Sequence, residues 1–222
     1  MKKTALLLLL CISQFVTAQI TKNLGDFSKV KVFDRINVTL IKADENKIVI
    51  TGNRADEVEL VTKNNELKVR MGFTKLLAGD DIEAKLYYKN IDGVEAHEGS
   101  FIASSDTFSV PSFDILSKEG ATVKLKLDVQ KLSSKLRSGG IAELSGKSTI
   151  HDANINSGGV LEAKELITEQ TEISVSAGGE ADIYASKLVE AKTTAGGDIT
   201  VFGNPEIVDK KTTLGGDITI VK

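Results

Sequence analysis

The side chains in this 222-residue sequence best suited to catalysis or metal binding are few: His97 and His151, Cys11, and Arg35, Arg54, Arg70 and Arg137. A histidine can act as a general base, but it needs a nucleophile to activate. Cys11 lies inside an apolar run, and no serine stands in a nucleophile-elbow setting. There is no H-E-x-x-H pattern and no cysteine-based zinc pattern. His97 and His151 could meet in three dimensions, although a histidine on a strand is more often a surface residue. Asp114 and Asp128 are candidate acids for a polysaccharide lyase or hydrolase. Such enzymes need clustered carboxylates, or a calcium site with a catalytic Arg or Lys. Nothing in the spacing clusters these two, and Arg137 is the lone arginine among the glycine turns described below. No catalytic, cofactor or metal site is expected.

Two smaller patterns carry chemistry. Gly197-Asp198-Ile199 and Gly216-Asp217-Ile218 resemble the start of the G-G-x-G-x-D calcium repeat, but they lack its later Gly and Asp. Glu180, Asp198 and Asp217 could stack into an acidic column that binds a cation weakly; solvated carboxylates beside a turn are the simpler reading. Asn37-Val38-Thr39 matches a glycosylation acceptor, a match that a bacterial-looking leader makes incidental.

Composition agrees with a non-catalytic, non-nucleic-acid role. Lys plus Arg (28) nearly balances Asp plus Glu (31), so no basic excess points to nucleic acid. With 8 Phe, 3 Tyr and no Trp, a deep aromatic ligand pocket is not expected. Met1-Lys2-Lys3, the apolar run Leu6–Ile12 and Val16-Thr17-Ala18 read as a secretory leader over 1–18, cut between Ala18 and Gln19. An uncleaved anchor is the alternative. Beyond the leader no hydrophobic stretch spans a membrane, and no cysteine remains for a disulfide.

Any functional side chain must be positioned by a repeat. Five Gly-Gly pairs, Gly139-Gly140, Gly158-Gly159, Gly178-Gly179, Gly196-Gly197 and Gly215-Gly216, follow one another at steps of 19, 20, 18 and 19 residues. Gly120-Ala121 and Gly99-Ser100 extend the series backwards. The second and fourth residues after each pair are apolar, as in Ala142 and Leu144, Ile199 and Val201. That period of two is a strand with one buried face. Strand, small turn, strand, at a period of 18–21 and without helical periodicity, predicts an all-β parallel β-helix whose glycines share one corner. The corner needs either φ > 0 or room that a Cβ would fill. An antiparallel meander with glycine turns is the competing fold. Ile183 and Ile199 are expected inside and Asp198 outside.

The amino-terminal half alternates too, with strands around Val30, Val38, Ile48, Leu67 and Leu86, and turn signals at Gly52-Asn53 and Asn64-Asn65. Lys75 to Asp81 reads as a loop carrying Leu76 and Leu77. No Pro-, Gly- or Ser-rich linker intervenes. We therefore expect one domain over 19–222, with less regular coils over 19–90 and regular repeats over 91–222.

The segments "FSKVKVFDRINVTLIKADENKIVITGN", "NNELKVRMG", the repeated "SGG", "AGGDITVFGNP" and "GGDITI" resemble the head GIN domain family. Its usual label is auto-transporter adhesin, and it is common in secreted proteins of Bacteroidetes-type bacteria. The resemblance covers Phe27 to Lys222. It implies a right-handed parallel β-helix, an extracytoplasmic location (periplasm, outer surface or released) and no transferable catalytic residues.

The expectation is a non-enzymatic β-helix that presents a face to a glycan or surface protein at the cell envelope. An envelope assembly module and a polysaccharide lyase or hydrolase are the alternatives. Partners expected are a glycan or protein and, through the C-terminal coil, a second copy; nucleic acid is not expected. The last coil, ending at Ile218, Ile220 and Lys222, needs a cover. Leu76 and Leu77 are the internal candidates for it.

Overall fold

A computed structural model describes residues 19–221. The expected leader over 1–18, with Cys11 and Ala18, and Lys222 lie outside the described residues; Gln19 opens the first strand. The strands are β1 (Gln19–Asn23), β2 (Lys29–Val32), β3 (Asn37–Lys42), β4 (Lys47–Thr51), β5 (Val58–Lys63), β6 (Glu66–Met71), β7 (Glu83–Tyr88), β8 (Gly93–Ala96) and β9 (Phe101–Lys118). They continue with β10 (Thr122–Arg137), β11 (Ile141–Asn156), β12 (Val160–Ser176), β13 (Glu180–Tyr184), β14 (Leu188–Thr194), β15 (Gly197–Phe202), β16 (Ile207–Thr213) and β17 (Gly216–Ile220).

β9 to β12 pair in parallel along their whole length. β12 then continues onto β13 and β14, and these onto β15, β16 and β17, all parallel. This register rules out the meander. The chain is a parallel β-helix of about seven turns.

Each coil has two sheets, joined at two corners, around one apolar core. In β10, Val123, Leu125, Leu127 and Val129 point inward; the alternation then skips at Gln130-Lys131 and resumes with Leu132, Ser134 and Leu136. That skip is one corner, which we call the open corner. The other is the glycine corner, where Ser138 and Gly139 both adopt positive φ (50° and 75°) and Gly140 N–H donates to the Arg137 carbonyl (2.9 Å). This is a two-residue turn of type I′. The two glycines of the pair do different work. Gly139 supplies the left-handed backbone, whereas a Cβ on Gly140 would lie 2.1 Å from the Ser117 carbonyl oxygen of the preceding coil. The same division recurs at Gly158-Gly159, Gly178-Gly179 and Gly196-Gly197; at Gly215-Gly216 both residues have positive φ. Turn amides also bond from coil to coil, as from Gly139 N–H to the Ser157 carbonyl (3.1 Å).

Ile183 and Ile199 are buried, and Ile183 pairs with Val201. Ile183 and Ile199 fill the core as large buried side chains at close-packed density must.

In the amino-terminal half, chain order and stacking order part company. β2 lies between β6 and β8, and β3 between β7 and β9. The first coil is thus sandwiched between two later ones. The reason is the hairpin β5–β6, whose Asn64-Asn65 turn (φ 52° and 61°) sends the chain back outside β2. Antiparallel β1, β4 and β5 finish this end of the stack.

At the opposite end Ile218 is buried and Ile220 partly so, while β16 is exposed throughout. The expected cover is not there. Leu76 and Leu77 belong to the outermost coil at the far end, tied to Asp34 beside Arg35. Instead Lys210 takes the inward register position next to Ala191, and its Nζ donates to the Ile218 carbonyl (3.4 Å). A charge at an inward edge position opposes further strand pairing.

Candidate functional site

Between the glycine corner and the open corner the chain departs from strict repetition. Ala103 pairs with Lys124 but Thr107 with Lys126, so β9 carries two extra residues there. Glu143 pairs with Glu162 but Ser145 with Glu165, a one-residue bulge in β12. These insertions account for the longer steps of 21 and 20 between glycine turns. Bulges re-aim side chains and bend strands.

Further along the same strands, at the open corner itself, a groove of about 690 Å³ crosses β9, β10, β11 and β12 and reaches Ser186. At a rung spacing of ~4.8 Å, the crossing from β9 to β12 is roughly 15 Å long. Its walls carry Asp128, Gln130, Lys147, Thr149 and Glu169, with Val110, Pro111 and Ile167 between them. Lys147 pairs with Asp128 (3.3 Å) and Lys187 with Glu169 (2.7 Å). The hydrogen bond to Glu169 raises the Lys187 pKa.

Beneath the groove the coil interior turns polar. Ser148 Oγ donates to the Ile150 carbonyl (2.7 Å), and the hydroxyls of Thr168 and Thr171 bond each other (2.7 Å) and the Tyr184 carbonyl. His151 sits in register between Leu132 and Thr171, with Nε2 3.0 Å from Ser134 Oγ. Its Nδ1 has no partner among the described residues. Burial pushes its pKa down to about 4. This is a Ser–His pair that the sequence did not announce. Both residues are buried, however, so no substrate reaches Ser134.

The remaining candidates stay apart. His97 stacks on Phe33 (centroids 4.5 Å) with Nε2 3.2 Å from Glu95. On the shared sheet it follows β8 and His151 lies on β11, so the two histidines do not meet. The His97 hydrogen bond, helped by Lys31, lowers the Glu95 pKa against its burial. Asp114 binds Lys29 (2.9 Å) and has Gly93 and Ser133 as register neighbours, not a second carboxylate. Arg35 is held by Asp80 (3.4 Å) and Arg70 by Glu59 (2.8 Å). Asn37 lies at the start of β3, bonded to Glu83 (3.0 Å).

Glu180, Asp198 and Asp217 do stack in register. Two of these carboxylates serve the backbone: Asp198 accepts from Asp217 N–H (3.0 Å) and Asp217 from Ile218 N–H (2.9 Å). Among the described residues no group of three or more His, Cys, Asp or Glu is spaced to hold a metal ion.

A second acidic column escaped the sequence reading. Asp152, Glu172, Glu190 and Asp209 stand in register on the other sheet, and none forms an ion pair among the described residues. The signal was available: each stands six residues before the first glycine of its turn, an outward position.

Residues 26–205 match the family model described as "Putative auto-transporter adhesin, head GIN domain". The chain belongs to the head GIN domain family. Among solved structures, the head GIN chain is similar to a putative adhesin from Bacteroides fragilis, at 20% identity and a TM-score of 0.83, covering 92% of this chain and 97% of that one. A putative adhesin from Parabacteroides merdae aligns at 17% identity with a TM-score of 0.72, over 92% and 96% of the two chains. A putative lipid binding protein from Parabacteroides distasonis aligns at 18% identity with a TM-score of 0.70, over 92% and 96%. At these identities the likeness establishes the head GIN fold. No curated protein matches the chain. No helix among the described residues is long and apolar enough to cross a membrane.

Proposed function

We propose that this head GIN protein is a non-enzymatic, adhesin-type binder that works outside the cytoplasm, and that the open-corner groove receives an extended glycan. The observation that carries the reading is the groove itself. It crosses successive coils, and its hydroxyls, amide, carboxylates and lysine sit beside small apolar side chains. Such a lining offers hydrogen bonds to a polyhydroxylated chain at every rung. Catalysis is disfavoured because the Ser134–His151 side-chain contact is sealed in the core, and Asp114 and Asp128 are each spent on a lysine.

The test is affinity electrophoresis of the protein through gels containing a panel of extended polysaccharides, with Gln130→Ala/Lys147→Ala as the groove variant. Retardation by at least one polysaccharide, reduced at least fivefold in the variant, is expected. Retardation that survives in the variant, or none across the panel, refutes the assignment. New reducing ends would make the protein an enzyme.

A further inference from the structure

The loop between β6 and β7 holds three large apolar side chains in solvent: Phe73 is 81% exposed, Leu76 55% and Leu77 46%. Single exposed leucines are ordinary; a cluster of this size within five residues marks an interaction surface. The loop is also fixed in place. The buried carboxylate of Asp34 accepts from Met71 N–H (3.0 Å) and Leu77 N–H (2.9 Å), and the Asp34 carbonyl accepts from Gly79 N–H (3.0 Å). Leu77 is held at φ 61°, a conformation costly for a leucine. A segment needed merely to connect β6 with β7 has no cause to be strained, stapled and apolar at once.

The surroundings are acidic. Glu57, Asp80, Asp81, Glu98 and Glu119 lie on or beside the loop, against Arg35, Lys75 and Lys118. All three cations are engaged, Arg35 with Asp80 (3.4 Å), Lys75 with Glu57 (3.8 Å) and Lys118 with Glu119 (3.1 Å), while Asp81 and Glu98 form no ion pair among the described residues. Burial, with the neighbouring Asp34 charge, raises the Glu98 pKa, a sign of how crowded these carboxylates are.

We infer that this loop is a preformed docking knob for a protein partner whose apolar pocket is ringed by lysine or arginine. An apolar anchor within a charged rim is the usual anatomy of a protein interface, and complementary charge sets partner choice. Rigidity lowers the ordering cost of binding. A lipid surface fits less well, because inserting Phe73 and Leu76 would press the carboxylates against headgroups and strip their water. The inference uses a surface distinct from the open-corner groove, so the two fail separately.

The probe is an amphipathic helical peptide of leucine and lysine, compared with its leucine–glutamate counterpart by fluorescence anisotropy. Wild type should bind the lysine peptide and not the glutamate one, and binding should weaken as salt rises. Phe73→Ser/Leu76→Ser, at exposed positions, should keep the melting temperature and polysaccharide retardation but bind the lysine peptide at least tenfold more weakly. Equal binding by this variant, or no preference between peptides, overturns the proposal. So does flotation with phosphatidylcholine vesicles that the variant loses, which would make the knob a lipid contact. Wild-type dimerisation that the variant loses would make the occupant a second copy.

Discussion

At the glycine corner the chain turns through two left-handed residues in coil after coil, from Asp34-Arg35 to Leu214-Gly215. On the way to the open corner it is less uniform, with two extra residues in β9 opposite Leu125, a bulge in β12 opposite Leu144 and, at the corner itself, a break between β13 and β14. The two corners face different constraints. The glycine corner is closed by hydrogen bonds between turns and, from Gly140 onward, by a contact that leaves no room for a Cβ where the earlier coils carry Ser100 and Ala121, so an insertion there would break the stack. The open corner's lining is hydroxyl-rich and its inner side partly polar, so an added residue there is expected to move outward into the groove. Rigidity on one side sets the register; latitude on the other shapes a binding surface.

The sharpest way to break this contrast is at Gly140. Gly140→Ala drives a methyl into the Ser117 carbonyl and should cost at least about 3 kcal/mol, while inserting one glycine between Gln130 and Lys131 should cost about 1 kcal/mol or less. Urea unfolding of both variants decides it. Equal losses would mean that the corners are equivalent. Gly139→Ala should fall between, near the ~1–2 kcal/mol of a left-handed alanine.

That difference also explains what was legible in the sequence. The glycine corner needs two local properties, positive φ and an absent Cβ, and both are written as one residue type at a fixed period. Ile183 and Ile199 were readable for a similar reason, since strand alternation is local. The groove was not legible. Its walls are ordinary polar residues, and even the separate bulge between Glu162 and Glu165 shows in the sequence as no more than a step of 20 in place of 19. The interleaving of β2–β3 between later coils was hidden too, because Asn64-Asn65 announces a hairpin without saying on which side of β2 it lands. The same ignorance misplaced Leu76 and Leu77 at the far end of the stack. The Ser134–His151 contact was out of reach, joining residues 17 apart through stacking alone.

His151 tests the polar interior behind the open corner. In the folded chain its pKa is about 4; unfolded it returns to about 6.5. Well above pH 6.5 His151 is neutral in both states and contributes no pH dependence. As pH falls through 6.5 the unfolded chain takes up a proton that the folded chain refuses, so stability drops until about pH 4, by about 3 kcal/mol in all. Its register neighbours, Leu132 and Thr171, carry no charge that could offset this. His151→Leu, which repeats the Leu132 of the preceding coil, should remove that part of the slope. Urea unfolding at pH 7.5, 6 and 5 measures it. A variant with the wild-type slope would show that His151 is hydrated and not sealed.

The smallest effect is expected on the outer face, away from both corners. Glu172 stands between Asp152 and Glu190 at rung spacing, with Asp209 beyond, and no cation pairs with any of them among the described residues. Like charges at neighbouring register positions repel. Exposure to water and salt keeps the penalty small. Glu172→Gln removes one charge while preserving shape and hydrogen-bonding capacity. It should stabilise the chain by about 0.2–0.5 kcal/mol at low ionic strength. The gain should shrink as sodium chloride is raised, because the wild-type ladder is then screened. Thermal unfolding of both proteins across a salt series reads this directly. A loss of stability on substitution would mean that Glu172 has a stabilising partner, and the ladder would then be part of the scaffold's own charge network.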